Sequence, residues 1–260
     1  MNIPFELFSS FNDIIYLDEP HKYYLNDNEL ISVTTLIHRY QENFDEKYWS
    51  EYKANELSVK SSDIISGWNF INKKGTSKGS IIHDYAENIF LNKMFKYPKD
   101  QIINQFGFDP IVNEYNITKK HVDMFKKDML GKLIPIRTEM VVYDKESLIA
   151  GMMDMLFYNV RYNTLQIYDW KTNKDFSMTS KNRLKGSLYL LHDCDYNIYS
   201  LQLSMYKRII ERNTGIKLGD MYVVWFSHKN TKYEIIKMKD MSYFVDIIIN
   251  ERIDELKKVA

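Results

Sequence analysis

Apolar and polar positions along the 260 residues change period partway through the chain: helical spacing dominates the first half and strand alternation opens the second. Period-two alternation predicts three consecutive strands, Arg137 to Tyr143 around Met140 and Val142, Leu148 to Tyr158, and Thr164 to Trp170. The breaks between them, Asp144 to Ser147 and Arg161 to Asn163, are hairpin-like. Near the start, Ile14 to Leu17 and Tyr23 to Leu25 predict two short strands, with turns at Glu19-Pro20 and Asn26-Asp27-Asn28, and Thr34 is the expected cap of a following helix. Helices are predicted over Asp45 to Val59, Ser62 to Ile71, Gly79 to Lys93 and Thr118 to Leu133, the last with Val122, Phe125, Met129 and Leu133 on one stripe. After the three strands come a helix over Asn197 to Arg212, strands over Asp220 to Ser227 and Lys232 to Met238, and a closing helix over Met241 to Lys258.

The three strands carry the candidate chemistry. Side chains two apart on a strand share a face, so Asp169 and Lys171 point one way and Trp170 the other. The short turn at Arg161 to Asn163 pairs the second and third strands and brings Asp154 near Asp169. Two convergent carboxylates repel, and hard oxygen donors of this kind suit Mg²⁺ or Mn²⁺, with a substrate phosphate and waters in the remaining positions.

Asp154 followed by Asp169-Trp170-Lys171 resembles the PD-(D/E)XK nuclease superfamily in its RecB-like, phage-type exonuclease branch. Three further segments carry the resemblance in the same order. Gly79-Ser80-Ile81-Ile82-His83-Asp84-Tyr85-Ala86-Glu87 is similar to the branch's G-[ST]-x-x-H-x-x-x-E helix; Glu139 lies on the strand before Asp154; Gln202 to Tyr206 matches a Q-x-x-x-Y helix. The small β element leading through Ser32-Val33-Thr34 into a helix is also similar to phage-type members.

The resemblance implies an α/β fold with a restriction-endonuclease-like core, a mixed central sheet flanked by helices, to which an N-terminal helical region and small β element are added. It implies one nuclease unit over 1–260, with 1–135 holding the helical region and 136–260 the catalytic core. As site residues it implies Asp154, Asp169, Lys171 and Glu139 for catalysis, with His83, Asp154, Asp169 and the Trp170 carbonyl holding Mg²⁺ or Mn²⁺. Gln202, Tyr206, Ser80 and Glu87 are the implied substrate contacts. The implied reaction is hydrolysis of DNA phosphodiester bonds at single strands or duplex ends, in phage or bacterial recombination, repair or replication. A structure-specific or flap endonuclease and a non-catalytic DNA-binding protein are the alternatives. A helicase, single-strand-binding or recombination partner is compatible with it.

Composition narrows these expectations. The single cysteine, Cys194, excludes an internal disulfide and the four-cysteine iron–sulfur cluster of some RecB-like relatives. Formal charge is zero, so affinity for phosphates must come from local patches; Lys73, Lys74 and Lys78, and Lys181, Arg183 and Lys185, are the candidates. The opening MNIPFELF has no basic leader, and no later stretch is apolar for long enough to span a bilayer, so a cytoplasmic protein with no membrane partner is expected, in a bacterial host cell if phage-encoded.

Overall fold

The computed structural model describes residues 9 and 11–259; the opening 1–8, read above as lacking a leader, lies outside the described residues. Two short strands, β1 (Ile14–Leu17) and β2 (Lys22–Leu25), form a hairpin that β3 (Asn28–Ser32) extends. Helix α1 (Val33–His38) follows directly, capped by Ser32, whose hydroxyl accepts the Thr35 N–H at 3.0 Å. The expected cap, Thr34, lies inside the helix, and β3 is a strand that its polar sequence does not announce.

Next come α2 (Glu46–Leu57), α3 (Ser61–Phe90), α4 (Lys99–Phe106) and α5 (Val112–Met129). The two helices expected over 62–71 and 79–93 are one. Segment 72–78 is polar and contains Gly75, which by propensity alone costs a helix about 1 kcal/mol. Tertiary pairing outweighs this: Lys74 and Lys78 both reach Glu114 of α5, at 2.5 and 3.0 Å. Helix α4 was not expected, and α5 begins earlier than its apolar stripe, so Leu133 opens a strand instead of closing the helix.

The core strands are β4 (Leu133–Asp144), β5 (Ile149–Asn159) and β6 (Thr164–Lys171), joined antiparallel. Helix α6 (Asp195–Thr214) crosses over from β6 to its parallel neighbour β7 (Met221–Trp225), and β8 (Glu234–Met238) pairs antiparallel with β7 before α7 (Ser242–Val259) closes the chain. The result is a mixed eight-stranded sheet running β1-β2-β3-β5-β6-β7-β8, with β4 on the other edge of β5. Parallel pairing of β3 with β5 at Ile31–Ile149 and Ser32–Ala150 joins the N-terminal β element to the core.

Each face of the sheet is covered. On one side Met153, Ile167 and Val223 pack with Leu201, Met205 and Ile209 of α6 and with Ile248 of α7. On the other, Phe157, Tyr168, Trp170 and Val224 pack with Ile82 and Phe90 of α3 and Phe125 of α5. The alternation of Ile167, Tyr168, Asp169 and Trp170 in β6 explains the split: Trp170 goes under α3 and α5, stacked at 5.9 Å on Phe90, and Asp169 faces away from them. Among the described residues no helix is long and apolar enough to cross a membrane.

Candidate metal and hydrolytic site

Strand register brings three carboxylates into a row across the sheet. Glu139 lies between the Thr138–Met155 and Met140–Met153 pairs and is therefore opposite Asp154. Asp154 in turn is one position beyond Met155–Tyr168, the last β5–β6 pair on that side, which sets it opposite Asp169. At this point the strands part, and the Asp154 side chain takes the place of a ladder bond by accepting the Trp170 N–H at 2.6 Å. Asp154 and Asp169 are buried, and Glu139 is half-buried.

Helix α3 brings His83 to this row. Its Nε2 lies 3.0 Å from the Trp170 carbonyl oxygen, and its Nδ1 lies 3.4 Å from Asp154 Oδ1. One donor atom each from His83, Glu139 and Asp154 lie within 4.8 Å of one another, the spacing of a divalent-metal site. Asp169 is not one of these three; its nearest charge is Lys171, 2.7 Å from Oδ2. That oxygen is buried, and the ion pair with Lys171 is its closest polar contact. The Lys171 ammonium also sits over the Tyr199 ring, 4.7 Å from its centroid.

Charges in this cluster are strongly interdependent. Burial alone would lower the His83 pKa, but the Asp154 carboxylate beside it outweighs burial and holds it at about 9. Asp154 stays below the usual carboxylate range despite burial, because His83 favours its ionised form. Burial, followed by repulsion from Asp154, pushes Glu139 up to about 8. Asp169 is raised to about 6 by burial, against the pull of Lys171. Burial works against the Lys171 ammonium, but Asp169 more than offsets it and the pKa rises. Without an ion, protons on His83 and Glu139 compensate the carboxylates, and a divalent cation would replace them.

The remaining expected residues are more scattered. Gln202 and Tyr206 of α6 are buried; the Gln202 amide donates to the Tyr206 hydroxyl at 3.0 Å. Tyr206 is pressed against Gly151 of β5, where a Cβ would come within 2.5 Å of its ring. Ser80 is exposed on α3, and Glu87, one turn past His83, accepts a hydrogen bond from Thr138 Oγ1 at 3.2 Å. His83 and Lys171, which flank the row, line a cleft of about 690 Å³ together with Trp170, Thr172, Tyr199 and residues of α3. A cavity of about 760 Å³ at the opposite end of β6 and β7 is far from this chemistry, and its Lys207 and Lys237 are each matched by an aspartate at 2.8 Å.

Sequence reasoning missed the cleft's second charged group. Lys78 is buried, paired with Glu114, and 3.4 Å from His228 Nδ1; His228 and Glu114 are also 3.4 Å apart. The lysines were visible as a basic patch, but nothing local marks Glu114 or His228. Of the other patch, Lys185 pairs with Glu42 at 3.5 Å and Arg183 donates to the Leu190 carbonyl.

No protein-family model matches the chain, and no curated protein matches it. Several solved structures are distantly similar, two of which show how distant the likeness is. A protein of Eubacterium rectale provisionally assigned as an exonuclease aligns with a TM-score of 0.42 and 11% identity, over 70% of this chain and 66% of its own. The chain thus spans just under two thirds of that protein. The protein SSO0001 aligns with a TM-score of 0.26 and 12% identity, over 69% of this chain and 86% of its own. At these scores the likenesses carry no argument about activity, which rests on the site itself.

Proposed function

We propose that the chain is a divalent-metal-dependent deoxyribonuclease of the PD-(D/E)XK type, acting as an exonuclease. The observation that carries this reading is the carboxylate row Glu139, Asp154, Asp169, completed by His83 on one side and Lys171 on the other. Four separate elements contribute to it. Burying like charges together is costly for a fold unless a cation shares the site. The residues fit such a cation: a nitrogen and two carboxylates within 4.8 Å, with the buried Asp169 carboxylate beside them.

His83, Glu139 and Asp154, with Asp169 and the Trp170 carbonyl, would hold Mg²⁺ or Mn²⁺. When bound, the ion supplies Lewis-acid polarisation of the scissile phosphate and a lower pKa for the attacking water. Lys171 offers a compact positive charge, held by Asp169 and the Tyr199 face, to orient that water or to offset charge building on the phosphate oxygens. Asp154 accepts the Trp170 N–H and so keeps β5 and the end of β6 in one geometry. Gln202 and Tyr206 support the carboxylate row from behind, in keeping with their burial; exposed Ser80 and half-buried Glu87 are the α3 groups available to a strand.

Exonuclease action, and a place in phage or bacterial DNA recombination, repair or replication, follow from the similarity of the His83 helix to the RecB-like branch. The test is degradation of end-labelled linear single-stranded and duplex DNA with Mg²⁺, Mn²⁺ or EDTA, for the wild type, Lys171→Ala and Asp169→Ala. Metal-dependent products lost in both variants are expected; intact DNA under every condition, with the fold verified, would overturn the reading. Cleavage of circular single-stranded DNA would keep the nuclease and remove the exonuclease.

A further inference from the structure

Beyond the carboxylate row, the α2–α3 hairpin exposes aromatic rings in a concentration that a solvated helix pair does not need. Phe44, just before α2, is 64% exposed and meets the half-buried Trp68 of α3 at 5.5 Å and 69°. On α2, Tyr48 and Tyr52 are more than half exposed, with ring planes 19° apart. Exposed aromatic groups gathered in one place mark a contact surface.

The slot beside the edge-to-face pair Phe44 and Trp68, about 260 Å³, is also lined by Glu46, Asn69, Ile71 and Asn72. Ile71 and Asn72 also line the cleft that holds His83 and Lys171, so slot and cleft adjoin. Where they join, Lys74 and Lys78 face a single carboxylate, Glu114, which leaves one positive charge in excess. Flat apolar faces beside a positively charged passage suit a polymer that alternates flat rings with anionic groups. In a duplex the base faces are already stacked on one another, whereas an unpaired strand presents them.

We infer that the Phe44–Trp68 slot takes an unpaired nucleobase of a strand whose phosphates pass Lys74 and Lys78, so that the substrate class of the cleft is single-stranded nucleic acid. The inference rests on the nuclease reading and narrows it.

The test is fluorescence anisotropy in EDTA with a short end-labelled oligothymidylate and a blunt duplex of equal length. Wild type, Phe44→Leu, Trp68→Leu and Trp68→Phe are compared, with folding checked by circular dichroism. Leucine keeps the apolar bulk and removes the stacking face; phenylalanine keeps a face. Loss of one stacked base corresponds to about fivefold or more in affinity. A loss of that size for the single strand in both leucine variants, with duplex affinity unchanged and Trp68→Phe close to wild type, is expected. Unchanged single-strand affinity in both leucine variants, or an equal loss for the duplex, would overturn the inference, the second case pointing to general damage or to a face that docks protein. Because binding is read without metal or turnover, a protein that binds in this way and cleaves nothing sinks the nuclease reading and leaves the slot. Cleavage with unaltered binding does the reverse.

Discussion

Glu139 stands directly across the β4–β5 ladder from Asp154, and its backbone is held at φ +44°, in the left-handed region that a residue with a side chain seldom occupies within a strand. Such a conformation costs on the order of 1–3 kcal/mol and persists only where its surroundings impose it. Here it accompanies the close approach of a second carboxylate to Asp154 and His83. Strain and like-charge repulsion thus fall on the same residue, as expected of a position shaped for a cation.

Glu139→Gln keeps the shape and removes the charge. Titration calorimetry with Mn²⁺ is expected to show affinity reduced by roughly tenfold or more, since losing even an outer partner of a metal site has effects of that order. Wild-type affinity in this variant would remove Glu139 from the ligand set.

The protonation of the metal-free site sets a pH dependence. His83 rises from 6.5 to about 9 on folding and Glu139 from 4.5 to about 8, so in both cases the folded chain binds protons more tightly than the unfolded one. Their contribution to stability is complete below 6.5 for His83 and below 4.5 for Glu139, and is lost as pH rises through about 9 and about 8. The Tm of the metal-free protein should therefore fall between pH 6.5 and 9. Divalent ions compete with those protons, so the Tm increment from Mn²⁺ should grow over the same interval. A metal-free Tm independent of pH there would contradict the assignment.

Lys171→Met leaves the buried Asp169 carboxylate without its counter-charge, a change expected to cost about 3–5 kcal/mol in urea unfolding at neutral pH. Adding Asp169→Asn should recover most of that stability. Neither variant should recover hydrolysis, the loss being about a hundredfold or more. Activity in the double variant would mean that the pair is structural only.

Two glycines predict opposite outcomes. A Cβ on Gly151 would lie 2.5 Å from the Tyr206 ring and 3.1 Å from Val33, so Gly151→Ala should destabilise by about 1–3 kcal/mol. Gly67 sits in α3 with nothing within 4 Å of the same atom, so Gly67→Ala should stabilise by about 0.5–1 kcal/mol. Urea midpoints of the two variants check both signs.

What the sequence discloses of this molecule follows from which forces are local. The three core strands and the meeting of Asp154 with Asp169 were legible because strand alternation and a short turn fix facing and register without help from distant residues. The crossover helix and the strands after it were legible for the same reason, to within a few residues. The continuity of α3 through Lys74 and Lys78 was not, because its cause, Glu114, lies on another helix. The conformation of Glu139 was also hidden: nothing in its neighbours announces a positive φ. Gln202 and Tyr206 were visible as a pair on one helix face, but which side of the sheet that face would meet depends on the whole crossover.

The unbroken run of α3 from Ser61 to Phe90 also fixes a phase. Trp68 and His83 are separated by fifteen residues of one helix, which is about 22 Å along the axis and about 60° around it, at 1.5 Å and 3.6 residues per turn. Any single-residue insertion or deletion between them would turn one against the other by about 100°, carrying the aromatic slot off the side of the helix that faces the carboxylate row. Length changes in that stretch should therefore be far more damaging than substitutions, even though many of its residues are polar and exposed.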